Sequence, residues 1–128
     1  MAKDHMCVSL VPLFNHLDET DQRVIHMLVT HHIKEKGELI FTPTSADQLV
    51  IVARGSLKVY QLSANGKEQV LRVIEPGGYE GEKQLFGVRN ELLFGEALEK
   101  TEVCVLKQRD FTQLLLDYPQ LSLKLLEI

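Results

Sequence analysis

The chain has 128 residues, 45% hydrophobic and 25% charged, with a formal net charge of −4; this is the composition of one ordinary domain that buries its own core without metal or disulfide staples. No apolar run approaches the roughly 18–20 residues of a membrane helix. The apolar stretch 6–14 contains Pro12 and leads into Asn15-His16 without a small-residue cleavage site, so it does not read as a signal peptide. With 18 acidic against 14 basic residues, there is no basic stripe with which this domain would grip nucleic acid by itself.

The first helix signal is Asp18-Glu19-Thr20-Asp21. Asp18 suits an N-cap, and the acidic first turn suits the positive end of the helix dipole. Val24, Ile25, Leu28 and Val29 follow at three- and four-residue spacing, which predicts a helix with one apolar face that ends around 30–32. From Ile33 the period changes to two. Candidate strands are 38–41, 48–54, 56–62, 68–74, 92–99 and 102–107, bounded by turn residues such as Thr42-Pro43-Thr44, Gly55 and Glu75-Pro76-Gly77-Gly78. Asn65-Gly66 between two alternating runs is the strongest hairpin signal, because both residues tolerate positive φ. Short strands at regular spacing predict a mainly β fold: a jelly-roll β-barrel, or double-stranded β-helix, with helices at its ends.

A short helix over 110–116 then breaks at Tyr118-Pro119, since proline restricts the residue before it. Leu121, Leu125 and Ile128 form a final apolar stripe, which reads as the start of a dimerisation helix and makes a homodimer the expected assembly. The chain is therefore one domain in three parts: a helical segment 1–32, a β-roll 33–107 and helices 108–128.

Cys7 and Cys104 are the two cysteines, and no CxxC pair occurs, which excludes zinc ribbons, thioredoxin-like motifs and a four-cysteine iron–sulfur site. With no signal peptide the expected compartment is the cytoplasm, where a reversible disulfide would be regulatory. His31 and His32 would face opposite sides of a strand and make a poor metal pair. His16 and His26 read as surface residues of the first helix. His5, Cys7 and Cys104 are weak metal candidates without an evident fourth ligand, so no metal is predicted. Ser9, Ser45, Ser56 and Ser63 have no nucleophile-elbow context and the carboxylates are scattered, so no enzyme is predicted.

In order, Val11-Pro12-Leu13-Phe14, Lys36-Gly37-Glu38-Leu39-Ile40-Phe41, Gly55-Ser56-Leu57-Lys58-Val59-Tyr60, Asn65-Gly66-Lys67-Glu68, Pro76-Gly77-Gly78-Tyr79-Glu80-Gly81-Glu82 and the run 97–106 form a set. That set resembles the sensor domain of the cyclic-AMP-receptor/Fnr family of bacterial transcription regulators. The resemblance implies a β-roll followed by a dimer helix and a helix-turn-helix domain; the last is absent from this chain, so DNA contact would be made elsewhere. Cyclic-nucleotide sensors of this kind open a phosphate cassette with Gly-Glu, matched by Gly81-Glu82, and neutralise the phosphate with Arg-Ser about ten residues on. Here Glu91-Leu92 stands in that place, and a carboxylate there repels a phosphate. Arg89 would substitute only in a re-registered loop. The expected effector pocket is Gly81, Glu82, Arg89, Leu92 and Leu93, with cyclic nucleotide disfavoured as its ligand and no cofactor predicted.

The chain looks closer to the Fnr branch, and within it to two-cysteine regulators of lactic-acid bacteria, where a dithiol–disulfide switch is the implied chemistry. The implied switch residues are Cys7 and Cys104. Cys7 is expected to be the accessible, reactive thiol, its thiolate favoured by Lys3 and His5. Cys104, near Glu99 and Glu102 among apolar valines, is expected to be the resolving thiol. The alternative is an effector-binding module that takes a nucleotide or another small ligand in the β-roll.

Overall fold

In the computed structural model, which describes residues 7–126, Asp18 caps the helix that its sequence predicts. Its carboxylate accepts the Asp21 N–H at 2.9 Å, and Glu19 pairs with Arg23 one turn on at 2.7 Å. A 3₁₀ turn at Cys7–Leu10 and helices α1 (Pro12–Asn15) and α2 (Glu19–His26) form the N-terminal layer. Eight strands follow: β1 (Thr30–Lys34), β2 (Leu39–Phe41), β3 (Gln48–Arg54), β4 (Leu57–Leu62), β5 (Glu68–Ile74), β6 (Tyr79–Glu80), β7 (Phe94–Ala97) and β8 (Thr101–Lys107). A 3₁₀ turn at Glu82–Phe86 lies between β6 and β7, and α3 (Gln108–Asp117) and α4 (Pro119–Leu125) end the described chain. Among the described residues no helix is long and apolar enough to cross a membrane.

The strands make two four-stranded antiparallel sheets, ordered β1-β8-β3-β6 and β2-β7-β4-β5. Between the sheets lie Val50, Val52, Val103 and Val105 from the first and Phe41, Leu57, Val59 and Ile74 from the second. The opposite face of β3 and β8 carries Leu49, Ile51, Cys104 and Leu106, which pack against Val8, Phe14, Ile25, Phe111 and Leu114 of the helical layer. Both faces of these two strands are covered, which is why they read as continuous apolar runs.

Several expected boundaries are corrected by the packing. The first helix stops at His26, not at 30–32, because Thr30–Lys34 pair with β8 from Thr30↔Val105 to Lys34↔Thr101. A longer helix would leave the edge of β8 unpaired. The β-roll thus begins at Thr30, three residues before the expected boundary at 33. The strand expected at 92–99 shrinks to Phe94–Ala97 because Asn90 holds its neighbours in a turn: its Oδ1 accepts Leu93 N–H and its Nδ2 donates to Leu93 C=O, both at 2.8 Å. The chain does break at Tyr118, between α3 and α4.

Gly55 makes the tightest demand on the backbone. Its φ is +88°, and a Cβ there would lie 2.5 Å from Thr101 Oγ1 and 2.6 Å from the Lys100 carbonyl. The buried Thr101 hydroxyl donates to Ser56 C=O at 3.0 Å while its oxygen accepts the Ser56 N–H at 3.1 Å, so it cannot withdraw without losing both bonds. Gly66 at the hairpin tip has a similar φ of +84° but open space around it. Gly55→Ala is expected to cost more than Gly66→Ala, which carries only the left-handed backbone penalty of about 1–2 kcal/mol. Urea unfolding of the two variants measures the difference, and equal losses would show that the Thr101 clasp yields.

Candidate functional site

Cys104 lies at the middle of β8, opposite His31 of β1 on one side and Ile51 of β3 on the other. Cys7 opens the first 3₁₀ turn, which is anchored by the fully buried Val8 and Val11. The two cysteines are joined by a disulfide with a Cα–Cα distance of 6.7 Å across 97 residues of sequence. Bridging so long a loop favours the folded state by about 4–5 kcal/mol on the chain-entropy argument.

The expected accessibility of Cys7 is overturned: it is 4% exposed, against 0% for Cys104, and belongs to the same apolar cluster. Lys3 and His5, expected to assist it, lie outside the described residues, so of the weak metal set His5, Cys7 and Cys104 the two cysteines alone are described. The basic side chain that does reach the sulfurs is His31. Donor atoms of Cys7, His31 and Cys104 all lie within 4.8 Å of one another. Judged as a pair, His31 and His32 are indeed on opposite faces; His32 turns away and bonds Thr30 Oγ1 at 3.0 Å. The strand alternation that separates the two rings puts His31 on the face it shares with Cys104. The His26 ring, half-buried on α2, meets the His31 ring edge-on at 5.8 Å.

A second site opens beside β6. Gly81, Glu82, Arg89, Leu92 and Leu93 line a cavity of about 620 Å³ together with Arg72, Tyr79, Glu80 and residues of the following loop. Gly81 adopts φ +102° where the chain leaves β6, and a Cβ there would collide with the Gln48 carbonyl oxygen. Three cations, Arg72, Lys83 and Arg89, are matched by three carboxylates, Glu80, Glu82 and Glu91. Arg72 comes from β5 of the other sheet, and local sequence pattern does not show that it reaches this cavity; it is paired with Glu80 of β6. The cavity therefore presents balanced charge to a ligand, not the surplus of cations that anchors a phosphate.

At the C-terminal end, the stripe expected to face a partner turns inward. Leu121 is 3% and Leu125 4% exposed, both in the cluster that contains Cys104, while Ile128 lies outside the described residues. The reason is that α4 is tied back onto the N-terminal layer: Lys124 Nζ bonds Asp21 at 2.7 Å and His16 Nε2 meets Lys124 C=O at 2.9 Å. The apolar side chains left facing solvent are Leu116, Tyr118, Leu123 and Leu126.

A double-sheet roll with a buried bridge on one flank and a cavity at β6 defines the class. The chain belongs to the cyclic nucleotide-binding domain family, whose profile matches residues 32–118. Among individual proteins, it is 44% identical over 122 residues to the probable transcriptional regulator flp of Lacticaseibacillus casei, a match that covers 95% of this chain. The chain spans 56% of that relative's length. Of solved structures, the N-terminal domain of a transcriptional regulator from Streptomyces coelicolor A3(2) superposes with a TM-score of 0.83 at 26% identity, covering 94% of this chain and 85% of that one. The sensor domain of the transcriptional regulator DNR from Pseudomonas aeruginosa shares the fold, with a TM-score of 0.78 at 20% identity over 98% of this chain and 85% of that one.

Tyr79 provides a spectroscopic handle on the cavity. Burial, and then the Glu82 carboxylate, push its phenol above the ordinary 10.0. The folded state therefore favours the protonated ring; that stability is intact below pH 10 and is lost as pH climbs through the raised folded value. Tyr79→Phe is expected to remove a late step from the tyrosinate absorbance titration and to flatten the alkaline decline in stability. Loss of amplitude near the ordinary value of 10.0, with the late step retained, would mean that the ring is open to water.

Proposed function

We propose that the chain is the non-catalytic sensor domain of a cytoplasmic Crp/Fnr-type transcription regulator that reads thiol redox state through Cys7 and Cys104. The observation that carries this reading is the bond between two cysteines from opposite ends of the chain, set in the layer where the helices meet the sheet. Bond formation removes two electrons and two protons from the thiols, and a two-electron acceptor such as a peroxide takes them and leaves as water or alcohol. Reduction by a dithiol reverses this, splitting the S–S bond and leaving the reductant as a disulfide.

Relay requires that the two redox states differ at the surface that meets a partner. Phe111 of α3 is the shared contact: it packs in the cluster with both cysteines, and its ring meets those of Phe14 and Phe86 at 5.8 Å each. Freeing Cys7 loosens the turn that shares its apolar cluster with α3 and α4, and so shifts the exposed apolar set Leu116, Leu123 and Leu126. A homodimer through this face would carry the signal to helix-turn-helix domains beyond the present residues. In a second reading, supported by the cavity at β6, the domain instead binds a small effector; the balanced charge and Glu91 weigh against a cyclic nucleotide.

Air-oxidised protein is expected to lose two daltons (about the mass of the two hydrogens released) and both titratable thiols within one chain. Sedimentation of the oxidised and reduced forms should then give different dimer affinities, and Cys104→Ser should match the reduced form in both states. Identical dimerisation would remove the switch even with the bond present. Tight binding of cyclic AMP by calorimetry would turn the assignment toward the effector reading.

A further inference from the structure

A third donor stands beside the two sulfurs of the bridge. His31 and Cys104 are directly opposed in the β1–β8 ladder, so their side chains rise from the same face with Cβ atoms about 4.5–5.5 Å apart. Cys7 is delivered to that face by a separate element, the 3₁₀ turn that Val8 and Val11 bury. Two sulfurs and one imidazole nitrogen, from three elements, thus converge within 4.8 Å.

The geometry points to a zinc site formed by Cys7, His31 and Cys104 when the disulfide is open. Thiolate–zinc bonds of about 2.3 Å and imidazole–zinc bonds of about 2.0–2.1 Å set the edges of a tetrahedron at about 3.5–3.8 Å. The donors therefore need only small adjustments from their present spacing. Once the S–S bond is broken the sulfurs must separate to nonbonded contact, which moves them toward that edge length. Two thiolates and a neutral imidazole cancel the charge of Zn²⁺, so the group can sit beside Ile51 and Leu106 without burying a net charge. His31 lies at the exposed end of the cluster, which leaves the fourth position open to water. Its edge-on contact with His26 restricts the ring.

This inference rests on the redox reading, because the sulfurs are available to a metal only in the dithiol state. Each chain that binds zinc releases two thiol protons to solvent. Oxidation of the loaded form by a peroxide forms the S–S bond, breaks both Zn–S bonds and frees Zn²⁺; the peroxide takes the two electrons, with two protons from solvent, and leaves as two waters, or as an alcohol and water. Metal and disulfide are exclusive uses of the same sulfurs, so zinc would hold the switch in its reduced state and slow its response to oxidant.

The test is a zinc titration of the 128-residue chain against a chromophoric chelator, with the protein either dithiol-reduced and freed of reductant, or oxidised. The reduced chain is expected to take up one zinc and the oxidised chain none, and zinc should slow peroxide-driven loss of thiols. His31→Ala should weaken affinity at least about tenfold, while His32→Ala, on the other face of the strand, should change it less than about twofold. Failure of the reduced wild type to compete for zinc, or equal affinities for the two histidine variants, overturns the site. The redox reading has its own readout in the same samples: if zinc-free reduced chains do not re-form the intrachain bond on oxidation, that reading fails whatever the titration gives.

Discussion

The ladder between β3 and β8 is the constraint on which the rest of the molecule depends, because it is apolar on both faces and has to be covered twice. Val50, Val52, Val103 and Val105 are closed over by the second sheet. Leu49, Ile51, Cys104 and Leu106 are closed over by helices drawn from both ends of the chain. Each such side chain contributes roughly 1.5–3 kcal/mol when fully buried, so neither cover is optional. That double demand brings the beginning and the end of the chain onto the same pair of strands. Contact between residues as distant as Cys7 and Cys104 follows from it.

Much of this was legible in the amino-acid sequence, for identifiable reasons. β3 and β5 occupy the residues that their apolar runs and flanking turns mark, 48–54 and 68–74, and the Asn65-Gly66 hairpin lies between β4 and β5. Where local pattern misled, a long-range partner had overridden it. The spacing of Val24–Val29 carries the expected helix on to 30–32, but Thr30–Lys34 is claimed by β8. β6, two residues long, is too short to carry a period. Leu121 and Leu125 read as a partner-seeking stripe because helical spacing reveals that a face is apolar and not what covers it; here both are buried in the chain's own apolar cluster, with Phe14, Ile25 and Phe111 among its members.

The candidate sites divide in the same way. The residues from Gly81 to Leu93 could be read as one cavity because they are near one another along the chain. His31 and Arg72 could not, since each joins its site across a sheet register or between sheets. Both sites also lean on one side chain. Leu85 and Phe86 follow the cavity's Gly81-Glu82 turn, and Phe86 abuts Phe111, which packs in the cluster holding the cysteine bridge. That ring is where the surroundings of the two sites meet α3.

The Arg72–Glu80 pair has a consequence of its own. β5 and β6 are the terminal strands of their respective sheets, so this ion pair fastens the two sheets together across the mouth of the cavity. An anionic guest does not meet a vacant guanidinium there. It has to displace a carboxylate fixed to the same framework, whose effective concentration is that of a tethered ligand. The cavity carries its own resident competitor, and any guest that wins Arg72 also unfastens the sheets at that edge.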